Sequence, residues 1–475
     1  MMSARTKSFV IYAVLLILVI SGFYIRINNY RKSATRTIDE LVFYHLGAQL
    51  KNHFPSYHTR DFARLLLEIR PHFAPLPKYF TQPLFKHPPL FPAFISLSLR
   101  ILGEHYYSAA FVAAFFGVLM ILLTYWIGEL VFDECVGLAA AFLVWLDPIN
   151  IISSQKIWMD TTVGFFMLLA VFFFLRGMKY QDSFSYAGFG LASGCALLTK
   201  YTGILTLLSA GLYFALFNKK FFRQRCALSC FGLPLLLLAP WMIWNACVYG
   251  RMLFNQILDI HNLSTMTVRS VSVGTFLLGI ICLGTIGLFV ERKPFSWVFS
   301  LAAKWAQRHG PIKRVVLGLF LIVFGVKFFS VLGPNYRPAT YWEPGHFAEE
   351  SRLFYIKRLP EFSLFYLVSF LALFSGFRDG HKHGPLILKL FSGMILVFFS
   401  LWKNYQTRYI LAATPLLLIL GAALWLKIIK DVCQYPGLKQ KWVGVITTSL
   451  VSVYILFKIF YVNMVVSFPN DMCYF

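Results

Sequence analysis

The chain has 475 residues, of which 58% are hydrophobic, 18% aromatic and only 13% charged, and its mean hydropathy is +0.66. That balance excludes an ordinary soluble domain, and unbroken apolar runs near twenty residues in place of short alternating strands exclude a membrane β-barrel. The net charge of +24 then points to basic cytoplasmic loops and contacts with membrane lipids, with no nucleic acid partner expected.

The first apolar run, Phe9 to Ile25, follows Arg5 and Lys7 and has no small-residue cleavage site after it. It predicts an uncleaved span with a cytoplasmic N-terminus. Further spans are predicted over 107–131, 137–156, 160–176, 184–200, 202–217, 227–247, 273–290, 315–332, 362–377, 386–402, 409–426 and 443–464. The total is about 13 in a single all-α polytopic domain over 1–475, with the C-terminus outside. The short basic segments 218–225, 291–314, 378–383 and 427–441 then fall on one side, as the positive-inside rule requires. Two polar, aromatic, Pro-containing segments, 28–106 and 333–361, fall on the other. The first is too long for a connector and is expected to fold over the bundle and carry function. Within it His87 to Leu102 is apolar but short, and predicts a helix lying in the outer leaflet.

Only 20 residues are acidic, and two of them, Asp39 and Glu40, stand together about a dozen residues past the first span. A carboxylate at a water–lipid boundary can take a proton from a hydroxyl. Asp160 begins a later span, and Lys200 stands between two apolar runs. The eight cysteines are scattered without a CxxC and read as small core residues.

The ordered series TIDELVFYHLGAQL, then KHPPLFPAFISLSLRIL and the following apolar segments through SSQKIWMDTT, then ASGCALLTKYTGIL, resembles the catalytic half of the polyprenyl-phosphate-dependent GT-C glycosyltransferases. That group includes the protein O-mannosyltransferases and the bacterial lipid A aminoarabinose transferases. The likeness covers about residues 8 to 220 and returns weakly at NYQTRYILAATPLLLIL.

The resemblance implies a GT-C bundle with a catalytic core over 8–270 and variable helices over 271–475. It implies inversion at the anomeric carbon, a polyprenyl-phosphate sugar donor such as an undecaprenyl phosphate sugar, and no nucleotide sugar. It makes Asp39, with Glu40, the acidic pair of the first external loop and Asp39 the general base. Asp160 matches the second acidic position, His87 opens the HPP element that closes the loop, and Lys200 ends the LTK element. Lys86 stands where the aminoarabinose transferases carry an acid, which puts a divalent ion bound through that acid in doubt.

The chemistry of such a transfer asks for the same residue types. An acceptor hydroxyl must lose a proton and a departing phosphate must be neutralised, so carboxylates and cations must converge. Asp39 or Glu40 supplies the base, and Asp160 orients the acceptor or helps hold a divalent ion. Lys86, Lys200, Arg337, Lys403 and Arg408 are cations expected near the outer surface, with snorkelling at a helix end as the alternative for each. Weaker features are His261 with Asp259 as metal ligands, the crowd of His45, His53, His58 and His72, and Asp147 before Pro148 at a kink. The Asn262-Leu-Ser264 sequon has meaning only in a secretory membrane.

The expected protein is thus an integral enzyme of the bacterial inner membrane acting on its extracytoplasmic face, with a lipid, polysaccharide or protein acceptor. A transporter would want paired repeats and ionisable helices at the midplane, and a non-catalytic scaffold would not need Asp39, Glu40 and Asp160 on one face.

Overall fold

The computed structural model describes residues 4–32, 38–52, 57, 87–250, 353–363, 365–377, 383–401 and 406–433. All of its regular elements are helical. Helix α1 (Ala4–Lys32) leads to α2 (Ile38–Asn52), α3 (Leu90–Leu102), α4 (Tyr106–Val131), α5 (Glu134–Trp145) and α6 (Pro148–Ser154). Then come α7 (Met159–Tyr180), α8 (Ser183–Thr199), α9 (Ile204–Phe217) and α10 (Leu233–Tyr249). The remaining helices are α11 (Phe354–Phe362), α12 (Phe365–Leu373), α13 (Gly384–Leu401) and α14 (Thr414–Cys433).

Five described helices are long and apolar enough to cross a membrane: Thr6–Ile27, Tyr106–Val131, Met159–Tyr180, Arg225–Cys247 and Gly384–Leu401. The protein is an integral membrane protein. The predicted spans over 273–290, 315–332 and 443–464 lie outside the described residues. Exposed Leu16, Ile17 and Ile20 on α1, and Leu235 and Leu236 on α10, form the apolar surface that lipid would cover. At the centre α4 packs against α5 and α7. A Cβ on Gly128 would lie 2.6 Å from the Cα of Gly137, so the α4–α5 crossing requires the bare backbone there.

Two predicted elements need correction. Segment 137–156 is not one straight span: α5 and α6 are bent by 57°. Asp147 causes the break, its Oδ2 accepting the Asn150 N–H at 3.0 Å, while Pro148 takes the first helical position where its missing donor is harmless. The Tyr366 hydroxyl donates to the other Asp147 oxygen at 2.9 Å, and buried Arg26 donates to Asn150 Oδ1 at 2.6 Å. Asp147 therefore serves the kink, tied to α12 and, through Asn150, to α1. The span predicted from 409 begins at Thr414, preceded by a tight 3₁₀ turn over Thr407–Ile410.

The segment expected as a long loop contains two helices. Val42, Phe43, Leu46 and Leu50 of α2 are buried at helical spacing, and α2 packs on α3. Helix α3, with 13 residues and so about 20 Å long, is too short to span, in line with the interfacial reading. It buries Phe91, Ile95 and Leu99 and leaves Leu97 and Ile101 exposed.

Chain direction fixes the ends of the bundle. Lys7 near the start of α1 pairs with Glu134 at the start of α5 at 2.6 Å. The end of α1, the start of α7 and the end of α8 lie at the opposite end, and the candidate site is built there.

Candidate active site

Four separate elements bring charged side chains to one place. Asp39 and Glu40 occupy the first turn of α2, where the helix dipole favours carboxylates. Asp160 lies in the first turn of α7. Lys200 ends α8, turning out of the helix with extended backbone. Arg408 sits in the 3₁₀ turn before α14, a conformation that aims its side chain back at the bundle end.

The contacts are direct. Arg408 Nη2 donates to Asp39 Oδ2 at 2.7 Å, and its Nε lies 3.6 Å from Asp160 Oδ2. Lys200 Nζ donates to the other Asp160 oxygen at 2.7 Å. Gln406 Oε1 accepts from Arg408 Nε at 2.6 Å, and the Gln406 carbonyl accepts from the Tyr355 hydroxyl at 3.1 Å. Burial alone would push the Arg408 guanidinium down, but Asp39 and Asp160 more than offset it and hold it above its ordinary value. Arg408 therefore stays charged. Its guanidinium carbon stands 4.4 Å over the Trp158 ring, and Lys200 Nζ stands 4.3 Å over the Tyr409 ring.

A second pair lies just behind. Glu40 is fully buried, its Oε2 3.8 Å from Lys156 Nζ, and its Oε1 accepts the Ile157 N–H at 3.3 Å. Asp39, one residue earlier, keeps 48% of its side chain exposed. The acidic pair is divided between solvent and core.

Of the predicted site residues, Asp39, Asp160, Lys200 and Arg408 meet in one cluster. Glu40 joins the pair behind it. His87 packs edge-on against Phe43 at 5.2 Å, one turn along α2 from Asp39, and its carbonyl accepts from Tyr57 at 2.8 Å. Lys86, Lys403, Arg337, His261 and Asp259 lie outside the described residues. Sequence reasoning passed over Lys156, Trp158, Gln406 and Tyr409. Lys156 carried a usable signal, because a lysine within an apolar run needs a buried partner. The two Asp160 oxygens face Lys200 and Arg408, so a divalent ion there would have to displace two cations. Among the described residues no group of three potential ligands is placed to hold a metal ion.

Residues 86–244 match the model of the family described as dolichyl-phosphate-mannose-protein mannosyltransferase. That stretch holds Asp160 and Lys200 but not Asp39 or Arg408. Among solved structures, the apo oligosaccharyltransferase of Archaeoglobus fulgidus is similar at TM-score 0.58 and 17% identity, over 98% of this chain and 57% of that one. The same organism's AglB, in complex with an inhibitory peptide and a dolichol-phosphate, gives 0.56 and 15%, over 98% of this chain and 56% of that one. ArnT from Cupriavidus metallidurans bound to undecaprenyl phosphate gives 0.49 and 14%, over 99% of this chain and 76% of that one. A comparison with curated protein sequences finds no match. The chain thus spans little more than half of the archaeal enzyme. The likeness to it shows the fold, an all-helical membrane bundle of the GT-C type.

Proposed function

We propose that the protein is a membrane glycosyltransferase that moves a sugar from a polyprenyl phosphate to an acceptor hydroxyl on the extracytoplasmic face, with inversion. The observation that carries this reading is the convergence of Asp39, Asp160, Lys200 and Arg408 from four elements at one end of the bundle. The match of residues 86–244 to a lipid-linked mannosyltransferase family supports it. So does the dolichol-phosphate bound to AglB.

Asp39, the exposed carboxylate, takes the acceptor proton as the acceptor oxygen bonds to the anomeric carbon. The bond from that carbon to the phosphate oxygen breaks, and its electron pair leaves with the polyprenyl phosphate. Lys200 and Arg408 neutralise that phosphate, with their strength raised by partial burial. Asp160 holds both cations in place until the donor arrives. Glu40 with Lys156 anchors the first turn of α2 against residues 156–157 and so sets the position of Asp39. Lys86 and Lys403 are reserved as further phosphate contacts and His87 as part of the wall beside α2.

Charge supports this side. Lys179, Lys219, Lys220, Arg223, Arg225, Lys427 and Lys430 lie at the helix ends away from the cluster. Basic helix ends favour the cytoplasm, which supports the reading that the cluster faces outside. In a background stripped of native cysteines, Lys51→Cys is expected to react with an impermeant thiol reagent in intact cells and Gln224→Cys is not; the reverse pattern would refute the side.

The activity is tested by reconstituting the protein with a panel of polyprenyl-phosphate sugars and lipid, polysaccharide and protein acceptors. Transfer from at least one donor is expected. Failure with every donor, in protein that also binds no polyprenyl phosphate, would overturn the reading.

A further inference from the structure

We infer that Tyr409, with Trp158, forms an aromatic seat that fixes the spacing and direction of Lys200 and Arg408 while those cations exchange carboxylate partners for a donor phosphate. The inference rests on the reading above and adds positioning residues to its site. Both cations lie against the same ring: Lys200 Nζ is 4.3 Å and Arg408 Cζ 5.5 Å from the Tyr409 centroid. Arg408 also lies over Trp158, which is fully buried, at 4.4 Å. Tyr409 is itself held, stacked on Phe399 at 5.4 Å and 29°. The seat is therefore fixed to α13 and to the turn before α7.

The need for such a seat follows from the ion pairs. Arg408 bonds Asp39, yet Asp39 must be released to accept a proton, so Arg408 has to give up that anion for the phosphate. Lys200 is in the same position toward Asp160. During the exchange the carboxylates cannot hold the cations still, and both side chains are long and rotamer-rich. A ring face attracts a cation whichever anion the cation is also touching, and this attraction survives the exchange. Fixing the two cations beforehand lowers the ordering cost of phosphate binding.

The test replaces Tyr409 in the full-length protein by phenylalanine and by phenylalanines carrying one, two and three ring fluorines. These keep the shape while draining charge from the ring face. The probe is undecaprenyl phosphate in phosphatidylcholine nanodiscs, with affinity and folded yield measured for each variant. Tyr409→Phe sets the reference, and affinity is expected to fall stepwise from it with fluorination at constant yield. Tyr409→Leu should bind about 3- to 30-fold more weakly. A ring that only fills space would give a flat fluorine series, and that result overturns the inference while leaving the glycosyltransferase reading intact. Loss of binding in Tyr409→Phe equal to that in Tyr409→Leu would assign the effect to the hydroxyl and also overturn it. A parent that binds no undecaprenyl phosphate fails the functional reading itself and this inference with it.

Discussion

Two ionic clusters meet at the first turn of α2, and they differ in almost every physical respect although adjacent residues anchor them. Asp39 is half-exposed and shares Arg408 with Asp160, whose other oxygen takes Lys200. Glu40 is fully buried, faces Lys156 and accepts a backbone N–H. Successive residues on a helix point about 100° apart, so one turn can address both a cavity and a core. The open cluster can change partners at its accessible members, because solvent or a phosphate can reach Asp39 and Lys200, whereas Arg408 and Asp160 are buried. The closed pair cannot, because removing one charge strands the other in a low dielectric.

That contrast sets the expected effects. Asp39→Asn keeps size and removes proton affinity, so transfer should slow on the order of 10² to 10⁴-fold while folded yield and donor binding persist. Near-parent turnover would move the base elsewhere. Glu40→Gln should act in the opposite way, lowering stability by up to about 3–5 kcal/mol, because Lys156 then loses the facing carboxylate inside the bundle. Thermal unfolding in detergent reads this directly. The double change Glu40→Gln with Lys156→Met should recover most of the loss, since both charges are then gone. A double variant as unstable as the single one would mean that the pair is not what stabilises that turn.

The residues show how much of this was readable beforehand. The sequence marks these residues by different signals: Asp39 as part of an acidic pair just past the first span, Asp160 through the resemblance, Lys200 by standing between two apolar runs, and Arg408 as a cation expected near the outer surface. Their convergence was expected through the resemblance and the chemistry, and the distances of 2.7 to 3.6 Å now state it geometrically. The division of Asp39 from Glu40 is not legible in the sequence, where the segment carrying them reads as an external loop. The spacing of Val42, Phe43, Leu46 and Leu50 already marked a helix, whose rotation separates the two carboxylates. The break at Asp147 was half-legible: Asp-Pro announced a kink, but the hydroxyl of Tyr366, 219 residues away, could only be found in three dimensions. Trp158 and Tyr409 were hidden for a different reason. Among so many aromatics, a ring that seats a cation looks like one that fills the core.

In the proposed reaction the open cluster receives a lipid-linked phosphate. Native mass spectrometry of the protein with undecaprenyl phosphate, comparing the parent with the double variant Lys200→Met and Arg408→Gln, tests it most directly. A bound lipid phosphate is expected on the parent and at least a tenfold weaker occupancy on the double variant, compared at matched amounts of folded protein, as expected when two charge-assisted contacts are lost. Equal occupancy on both proteins would place the phosphate elsewhere and contradict the account.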